Sequence, residues 1–227
     1  MISPTGTGGF KSATDRWRGL TRVLVSKARK SIKRGSALAA AAGWGLGAVM
    51  AGAAEEPEIV SRSGWDALEA RPYADQVPER FTIHHSAVQL DPDADYAGHL
   101  RNIQVWGMGA ARNWSDIPYH FILDPEGVVY EGRHPGTKGE SNTDYEIEAH
   151  LQINLMGDFN EHPVPEKQFE ALVAFLAWCS GEFEIAPETI RAHRDFAPTA
   201  CPGEHLYEYV KSGVLREAVE ASIAKEN

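Results

Sequence analysis

The sequence predicts a single α/β domain in which helices flank a central mixed β-sheet. Short runs rich in β-branched and aromatic residues alternate along the chain with longer segments of helical periodicity. The stretch that follows an atypical N-terminal segment is about 170 residues long, which is the usual size of one domain. No internal repeat divides that stretch. Interleaved strands and helices of this kind favour one sheet with helices packed against it.

The first half of the predicted domain contains four extended segments and one helix. A short extended entry at 57–61 precedes a strand at 81–84, whose residues are mainly apolar or β-branched. Apolar side chains recur at helical spacing over 93–111, and two aspartates near its start suit a helix N-terminus. Two further strands, at 119–123 and 128–130, flank an Asp-Pro-Glu-Gly turn signal.

The second half continues the alternation of strands and helices. Apolar and polar residues alternate over 150–156, which is typical of a half-buried strand. The segment 165–179 has the pattern of a strongly amphipathic helix, and 189–193 is a brief strand candidate. One continuous helix is predicted over 206–224, at the end of the chain.

The N-terminal 54 residues differ in composition from the rest. Residues 1–54 contain nine Lys or Arg and one acidic residue, and the run 36–50 has no charge. A basic region, an apolar run and a small-residue site ending at Ala53 together predict a secretory signal. We expect export to the periplasm or the medium, with 55–227 as the functional domain. The alternative is that 36–54 stays uncleaved as a membrane anchor.

Charge separates the N-terminal segment from the predicted domain. The whole chain has a formal net charge of −10, and residues 1–54 contribute +8, so the remainder carries −18. Nucleic-acid binding needs a basic footprint, so we expect no nucleic acid partner. No long amphipathic seam requires a protein partner, and we expect a monomer with a solvated acidic surface.

Histidine and cysteine residues supply the chemistry that the sequence suggests. His193 and Cys201 lie eight residues apart before a Pro-Gly turn, and a His84-His85 pair ends the strand at 81–84. Side chains alternate along a strand, so only one of the pair can face His193 and Cys201; we expect His84, at the mouth of a surface cleft. Cysteine and histidine suit zinc, and three protein ligands leave the fourth position to water, as in catalytic zinc sites.

Two local alternatives stay open around these ligands. Cys201 is either a zinc thiolate, with Cys179 a small buried residue of a helix, or the partner of Cys179 in a disulfide, as two cysteines of an exported protein often are. A disulfide would remove one zinc ligand. Asp195 either accepts a hydrogen bond from the second ring nitrogen of His193 or caps the turn that follows.

Other polar residues are candidates for the walls of the same cleft. Tyr119 and His120 stand at the start of a strand, where a side chain can donate a hydrogen bond to a developing oxyanion. The alternative for Tyr119 is a packing role with its hydroxyl in solvent. Trp114 and Arg133 line a sugar or peptide cleft, or serve as a packing aromatic and a solvated charge.

Six linked motifs between about residue 57 and residue 210 resemble one family. The stretches are IVSRSGW (59–65), TIHHSA (82–87), WSDIPYHFI (114–122), GVVYEGR (127–133), NLMGDF (154–159) and the final His193/Cys201 pair. In their content and order they resemble the zinc N-acetylmuramoyl-L-alanine amidases, which include the peptidoglycan recognition proteins and the amidase-type phage lysozymes.

The resemblance implies hydrolysis of the amide bond between N-acetylmuramic acid and the L-alanine of the stem peptide. It assigns Zn²⁺ to His84, His193 and Cys201, where the metal polarises the carbonyl and activates the attacking water. Tyr119 is implied to hydrogen-bond to the tetrahedral intermediate or to orient the nucleophile. The expected partner is peptidoglycan or its soluble muropeptides. The residues that we expect to contact the substrate are Trp114, Arg133, Asn154 and His85.

The sequence departs from two branches of this family. Phage members carry a catalytic lysine at the position of Thr199. The animal recognition proteins, like this chain, have a threonine there. Thr199 can donate a hydrogen bond, but it cannot replace an ammonium charge. The cytosolic anhydro-muropeptide amidases have acidic residues in place of Asn154 and Cys201. The general acid and base therefore stay unassigned, with His120 a candidate for proton transfer.

Three functions share these motifs. The first is an exported hydrolase, the second is a module that recognises peptidoglycan without cutting it, and the third is an effector that uses the same chemistry against other cells. Binding-only relatives typically lack the zinc cysteine, so the presence of Cys201 favours catalysis.

Overall fold

Six strands form one mixed sheet within residues 56–225, the part of the chain that this computed structural model describes. The strands are β1 (Ile59–Val60), β2 (Arg80–His85), β3 (Phe121–Leu123), β4 (Val129–Glu131), β5 (His150–Leu155) and β6 (Arg191–Ala192). Each overlaps a segment predicted as extended. The predicted signal, its cleavage after Ala53 and the alternative anchor at 36–54 lie outside the described residues.

The sheet is mixed, which confirms the predicted fold class. Its strand order is β1-β4-β3-β5-β2-β6. The β3–β4 pair is antiparallel, as a hairpin joined by a short turn must be, and the other neighbours are parallel. Parallel neighbours end at the same edge of a sheet, so β2 and β6 deliver the residues that follow them to one place.

Four α-helices cover the sheet within residues 56–225. They are α1 (Tyr96–Met108), α2 (Glu166–Glu182), α3 (Glu204–Lys211) and α4 (Val214–Lys225). The single helix predicted over 206–224 is wrong, because the chain breaks between α3 and α4. Gly213 has a φ of +86°, a left-handed conformation that ends one helix and lets the next begin at a new angle.

Two apolar clusters hold the layers together. On one face α2 and α4 pack against β2, β3 and β5, with side chains such as Ile83, Ile153 and Phe175 fully buried. On the other face α1 and the segment around Trp65 pack against Ile122. Both faces of the central strands are therefore covered, as is usual where parallel strands dominate a sheet.

Covering both faces overturns one expectation for β5. All six residues of β5 are buried, so the strand is not half-buried as the alternation predicted. The sequence alternates because two of the polar side chains on one face, His150 and Gln152, take part in buried hydrogen bonds. His150, for example, lies 2.7 Å through Nδ1 from Thr82 Oγ1.

Cys179 lies in α2 and is fully buried in the apolar cluster, as predicted. It and Cys201 are both free thiols, so the alternative of a disulfide between them is wrong. Among the helices of residues 56–225, none combines the length and the apolar character needed to cross a membrane.

Candidate metal centre and cleft

The three predicted zinc ligands meet at one edge of the sheet. His84 lies near the end of β2, His193 directly follows β6, and Cys201 lies in the loop before α3. One potential ligand atom from each residue lies within 4.8 Å of the other two. His84 Nδ1 is 3.7 Å from Cys201 Sγ. Zinc bonds of ordinary length in a tetrahedron separate a nitrogen from a sulfur by about 3.6 Å, so this spacing fits the metal.

Burial keeps the three ligand side chains uncharged in the absence of a cation. It lowers the pKa of His84 well below the usual range, with nearby His193 as the next cause. It lowers the pKa of His193 to about 4, with a smaller effect of His85. It raises the pKa of the Cys201 thiol to about 12, although the His85 backbone N–H and Arg194 oppose that rise. A divalent cation reverses this situation at the thiol, because metal binding releases its proton.

The donor set fits zinc by its chemistry as well as by its spacing. Neutral imidazole and thiolate are the ligands zinc prefers, and the burial of His84 and His193 secures the neutral imidazole form. His193 Nδ1 is buried and has no hydrogen-bond partner within residues 56–225. Buried polar atoms normally have a partner, so this nitrogen is available to a metal.

A cleft opens over this cluster, and seven of the predicted site residues line it. They are His84, His85, Trp114, Tyr119, His193, Thr199 and Cys201. The cleft is bordered on one side by the loop 140–143, which the sequence analysis did not assign to the site. The candidate metal ligands and the candidate catalytic groups therefore share one cleft.

Tyr119 and Thr199 have the groups that could act on a substrate here. The Tyr119 ring lies 5.3 Å from the His84 ring, measured between centroids. Burial raises the Tyr119 pKa, with Cys201 and Tyr145 as further causes, so the hydroxyl stays a neutral donor. Thr199 Oγ1 accepts a hydrogen bond from Cys201 N at 3.2 Å. Its own proton is therefore still available to donate.

His85 and Trp114 line the cleft but also support its walls. The backbone N–H of His85 donates to Cys201 Sγ at 3.4 Å, and its ring Nδ1 accepts from Phe159 N at 3.4 Å. Trp114 packs edge-on against Trp106, with 5.5 Å between ring centroids. A contact of either residue with substrate stays a prediction.

His120 does not line the cleft, and this position does not support its predicted role in proton transfer. The side chain is fully buried beneath β5. Its Nδ1 accepts from Gln152 N at 2.8 Å, so its Nε2 carries the proton and donates to Thr137 O at 3.0 Å. Burial lowers the His120 pKa to about 3, which keeps the imidazole neutral. The His120 side chain thus links the start of β3 to β5 and to the loop at Thr137.

Arg133 does not face the cleft either, and the expected contact with substrate is not supported. The side chain is 1% exposed. Its guanidinium forms an ion pair with Glu140 and donates to protein oxygens on four further residues, Ser115, Asp116, Ile117 and Lys138. Every nitrogen of the guanidinium is thus engaged, and together they join the segment 115–117 to the segment 138–140 at the start of the loop that borders the cleft. Neither a solvated charge nor a ligand-binding group fits this position.

Asn154 lies under the site and not on its surface. It stands on β5 in register with His84 of β2 and Ile122 of β3, and it is fully buried. Its amide lies beside the Tyr119 hydroxyl and opposes the rise in pKa that burial causes there, although no hydrogen bond of ordinary geometry joins the amide to residues 56–225. A direct contact with substrate is not supported by this position.

Sequence reasoning missed two residues that hold His193. Thr143 Oγ1 lies 2.6 Å from His193 Nε2, and the Tyr145 ring lies 5.3 Å from the His193 ring. Both belong to an irregular polar loop with no periodicity that could mark them. Asp195 caps its own turn, because its Oδ2 accepts from Ala192 N and its Oδ1 accepts from Tyr207 OH. The alternative of a bond from Asp195 to His193 is therefore wrong.

The order and spacing of these site residues agree with a known family. The sequence profile of the Amidase_2 family, described as N-acetylmuramoyl-L-alanine amidase, matches residues 74–204. The chain belongs to this family. This chain is 31% identical to peptidoglycan recognition protein 1 of Rattus norvegicus over 159 residues. The match covers 68% of this chain and 86% of that protein.

Solved structures support the same fold. Human PGRP-IBETAC, in complex with glycosamyl muramyl pentapeptide, superposes with a TM-score of 0.62 and 28% identity, over 69% of this chain and 96% of its own. The N-acetylmuramoyl-L-alanine amidase LysC from Clostridium intestinale shares the fold with a TM-score of 0.56 and 24% identity, over 70% and 98% of the two chains. The family model is therefore named for an amidase, whereas the rat and human relatives are named for recognition.

Proposed function

We propose that this chain is a zinc-dependent amidase that cleaves the bond between N-acetylmuramic acid and L-alanine in peptidoglycan or muropeptides. The observation that carries the proposal is the meeting of His84, His193 and Cys201 at the base of an open cleft. A module that only binds peptidoglycan needs no such set of buried ligands. Family membership supports the substrate class, and the ligand set supports hydrolysis.

The chain's own residues would divide the catalytic work. His84, His193 and Cys201 would hold Zn²⁺, which when bound supplies Lewis acidity for a carbonyl and an activated water. Tyr119 faces the same space and keeps its proton, so its hydroxyl donates to the oxygen on which negative charge develops. Thr199 has its hydroxyl oxygen engaged by Cys201 N and is a second donor into the cleft.

The cleft-lining residues within 56–225 include one carboxylate, that of Glu140, and Arg133 and Ser115 already engage it. The lowered pKa of His85, about 4, makes that imidazole neutral at physiological pH. Neither group is therefore poised to act as a strong acid toward the leaving amine. We assign Tyr119 to the oxyanion and no residue to leaving-group protonation.

The second candidate function is recognition without cleavage. It is favoured by the rat relative, which is named a recognition protein, and by the human structure, which is a complex with a muramyl pentapeptide. For either function we propose export through the N-terminal segment, where peptidoglycan is accessible.

Mass analysis of released fragments tests the proposal. The full chain is purified with zinc and incubated with peptidoglycan, beside Cys201→Ala and the matched variant Cys179→Ala, which alters the buried thiol of α2. Wild type and Cys179→Ala should release stem peptides with a free L-alanine amine, and Cys201→Ala should release none. Binding to peptidoglycan without release by a zinc-loaded wild type would contradict hydrolysis and leave recognition.

A further inference from the structure

His193 is held from its outer side by the loop that joins β4 to β5. Its Nε2 lies 2.6 Å from Thr143 Oγ1, whereas its buried Nδ1 has no hydrogen-bond partner in the described part of the chain. A neutral imidazole has one N–H and one lone pair, so a donor bond at one nitrogen fixes the other as the ligand. With Nε2–H donating to Thr143, Nδ1 is the atom left for the metal.

Thr143 is itself fixed by its neighbours. Its hydroxyl lies 2.9 Å from Ser141 Oγ, and its backbone N–H donates to the same oxygen at 3.2 Å. Thr143 can therefore accept from His193 and donate to Ser141 at once, which makes a continuous hydrogen-bond chain. Two residues further on, Tyr145 packs against both His193 and Phe196, at centroid distances of 5.3 and 5.9 Å. The loop thus fixes both the direction and the plane of the imidazole.

We propose that Thr143 is the positioning residue for the metal ligand His193. Its hydroxyl oxygen accepts the Nε2 proton, selects the tautomer with a free Nδ1, and aims that nitrogen at His84 and Cys201. The inference rests on the metal site of the proposed function, but it does not depend on amide cleavage. Outer partners of this kind typically change metal affinity by about 10- to 100-fold when they are removed.

Zinc affinity of the full chain, measured by competition with a chromogenic chelator, tests this role. Thr143→Val keeps the size of the side chain but removes the acceptor, and it should raise the zinc Kd by about 10- to 100-fold. Thr143→Ser restores the hydroxyl and should return the Kd close to the wild-type value. The matched control Thr189→Val makes the same change at a hydroxyl that donates to Ala186 O in the turn before β6. It should leave the zinc Kd unchanged.

Cobalt substitution gives a readout that loss of stability does not imitate. The d–d absorption of the Co²⁺ protein should change in Thr143→Val, where the imidazole is free to turn, and not in Thr143→Ser. If the valine variant does not fold, Thr143→Ala provides the same loss of acceptor with a smaller side chain. A wild-type zinc Kd in the valine or alanine variant would overturn the proposal, as would a serine variant as weak as valine.

The outcomes also separate this inference from the proposed function. A chain whose zinc affinity depends on the Thr143 hydroxyl, but which releases no stem peptide, keeps the positioning role and loses the amidase. A wild type that binds no zinc overturns both.

Discussion

Tyr119 and Arg133 belong to neighbouring motifs but serve opposite purposes. Tyr119 lines the cleft and keeps a neutral hydroxyl, whereas Arg133 points into the protein and is 1% exposed. Sequence reasoning considered both residues for the cleft and left open a packing role for Tyr119 and a solvated charge for Arg133. It could not decide which polar side chain turns inward, because that choice depends on partners such as Glu140, which lies in an irregular loop where no periodicity marks it. His120 was misplaced for the same reason.

Replacing Tyr119 by Phe should slow turnover and leave zinc in place. The change removes one donor aimed at the developing charge, and such donors contribute about 100- to 1,000-fold to kcat. Steady-state release of stem peptides and zinc content by atomic absorption check this. Tyr209→Phe, a matched change that lies on α3 beside Phe169, should leave turnover unchanged. Normal turnover in Tyr119→Phe would remove Tyr119 from the mechanism.

Replacing Arg133 by Met should destabilise the domain strongly. It leaves the Glu140 carboxylate, 9% exposed, without its cation, and breaking a buried pair on one side costs about 3–5 kcal/mol. Urea unfolding measures the change, and adding Glu140→Gln should recover part of the loss. In the exposed pair of Lys167 with Glu126, Lys167→Met should change the midpoint little. Equal effects at the two sites would contradict the structural role of Arg133.

At the scale of elements, the break between α3 and α4 depends on backbone conformation. Gly213 adopts a φ of +86°, while α2 contains Gly181, where a Cβ would meet nothing within 4 Å. Replacement by alanine should therefore change the free energy of unfolding in opposite directions at the two glycines. Apolar spacing over 206–224 continues through the break, so periodicity alone could not reveal it.

Gly213→Ala should lower the free energy of unfolding by about 1 kcal/mol, because alanine is strained in the left-handed region. Gly181→Ala should raise it, by up to about 1 kcal/mol, because alanine favours a helix. Urea unfolding of the two variants and wild type provides the measurement. Changes of the same sign at both positions would show that backbone conformation does not control this break.

The sequence predicted the strands well and their burial less well. All six strands carry β-branched or apolar residues, which identify extended segments without knowledge of their neighbours. The error at β5 arose because polar residues normally face water. Here Gln152 donates through Nε2 to Pro118 O, so a polar side chain is satisfied inside the protein. The cluster of His84, His193 and Cys201 was predictable because a zinc site restricts the residue types that can form it, whereas Thr143 was not, since any loop can contain a threonine.

At the scale of the whole molecule, buried neutral histidines should make stability depend on pH. His120 has a pKa of about 3 in the folded domain, below the usual value of 6.5. Its contribution is fully present above the unfolded pKa and is lost as pH falls toward 3, because only the unfolded chain takes up a proton there. Between pH 7 and pH 5 the loss for this one group is about 2 kcal/mol.

His120→Gln should therefore flatten the pH dependence of unfolding. Urea unfolding of the zinc-free full chain at pH 7 and pH 5 gives the stability lost by wild type and by the variant. We expect the loss to be smaller in the variant by about 2 kcal/mol, whatever the variant's stability at pH 7. Identical losses would mean that folding does not lower the pKa of His120.

The order of the strands also bears on how the chain folds. His84 and Cys201 are 117 residues apart in sequence, and they meet where β2 pairs with β6. The chain loses the entropy of closing such a long loop before the contact can stabilise it. We therefore expect the two side chains to come together late in folding. Contacts absent from the transition state act mainly on unfolding. Bound zinc would therefore prolong the lifetime of the folded domain without speeding the search that produces it.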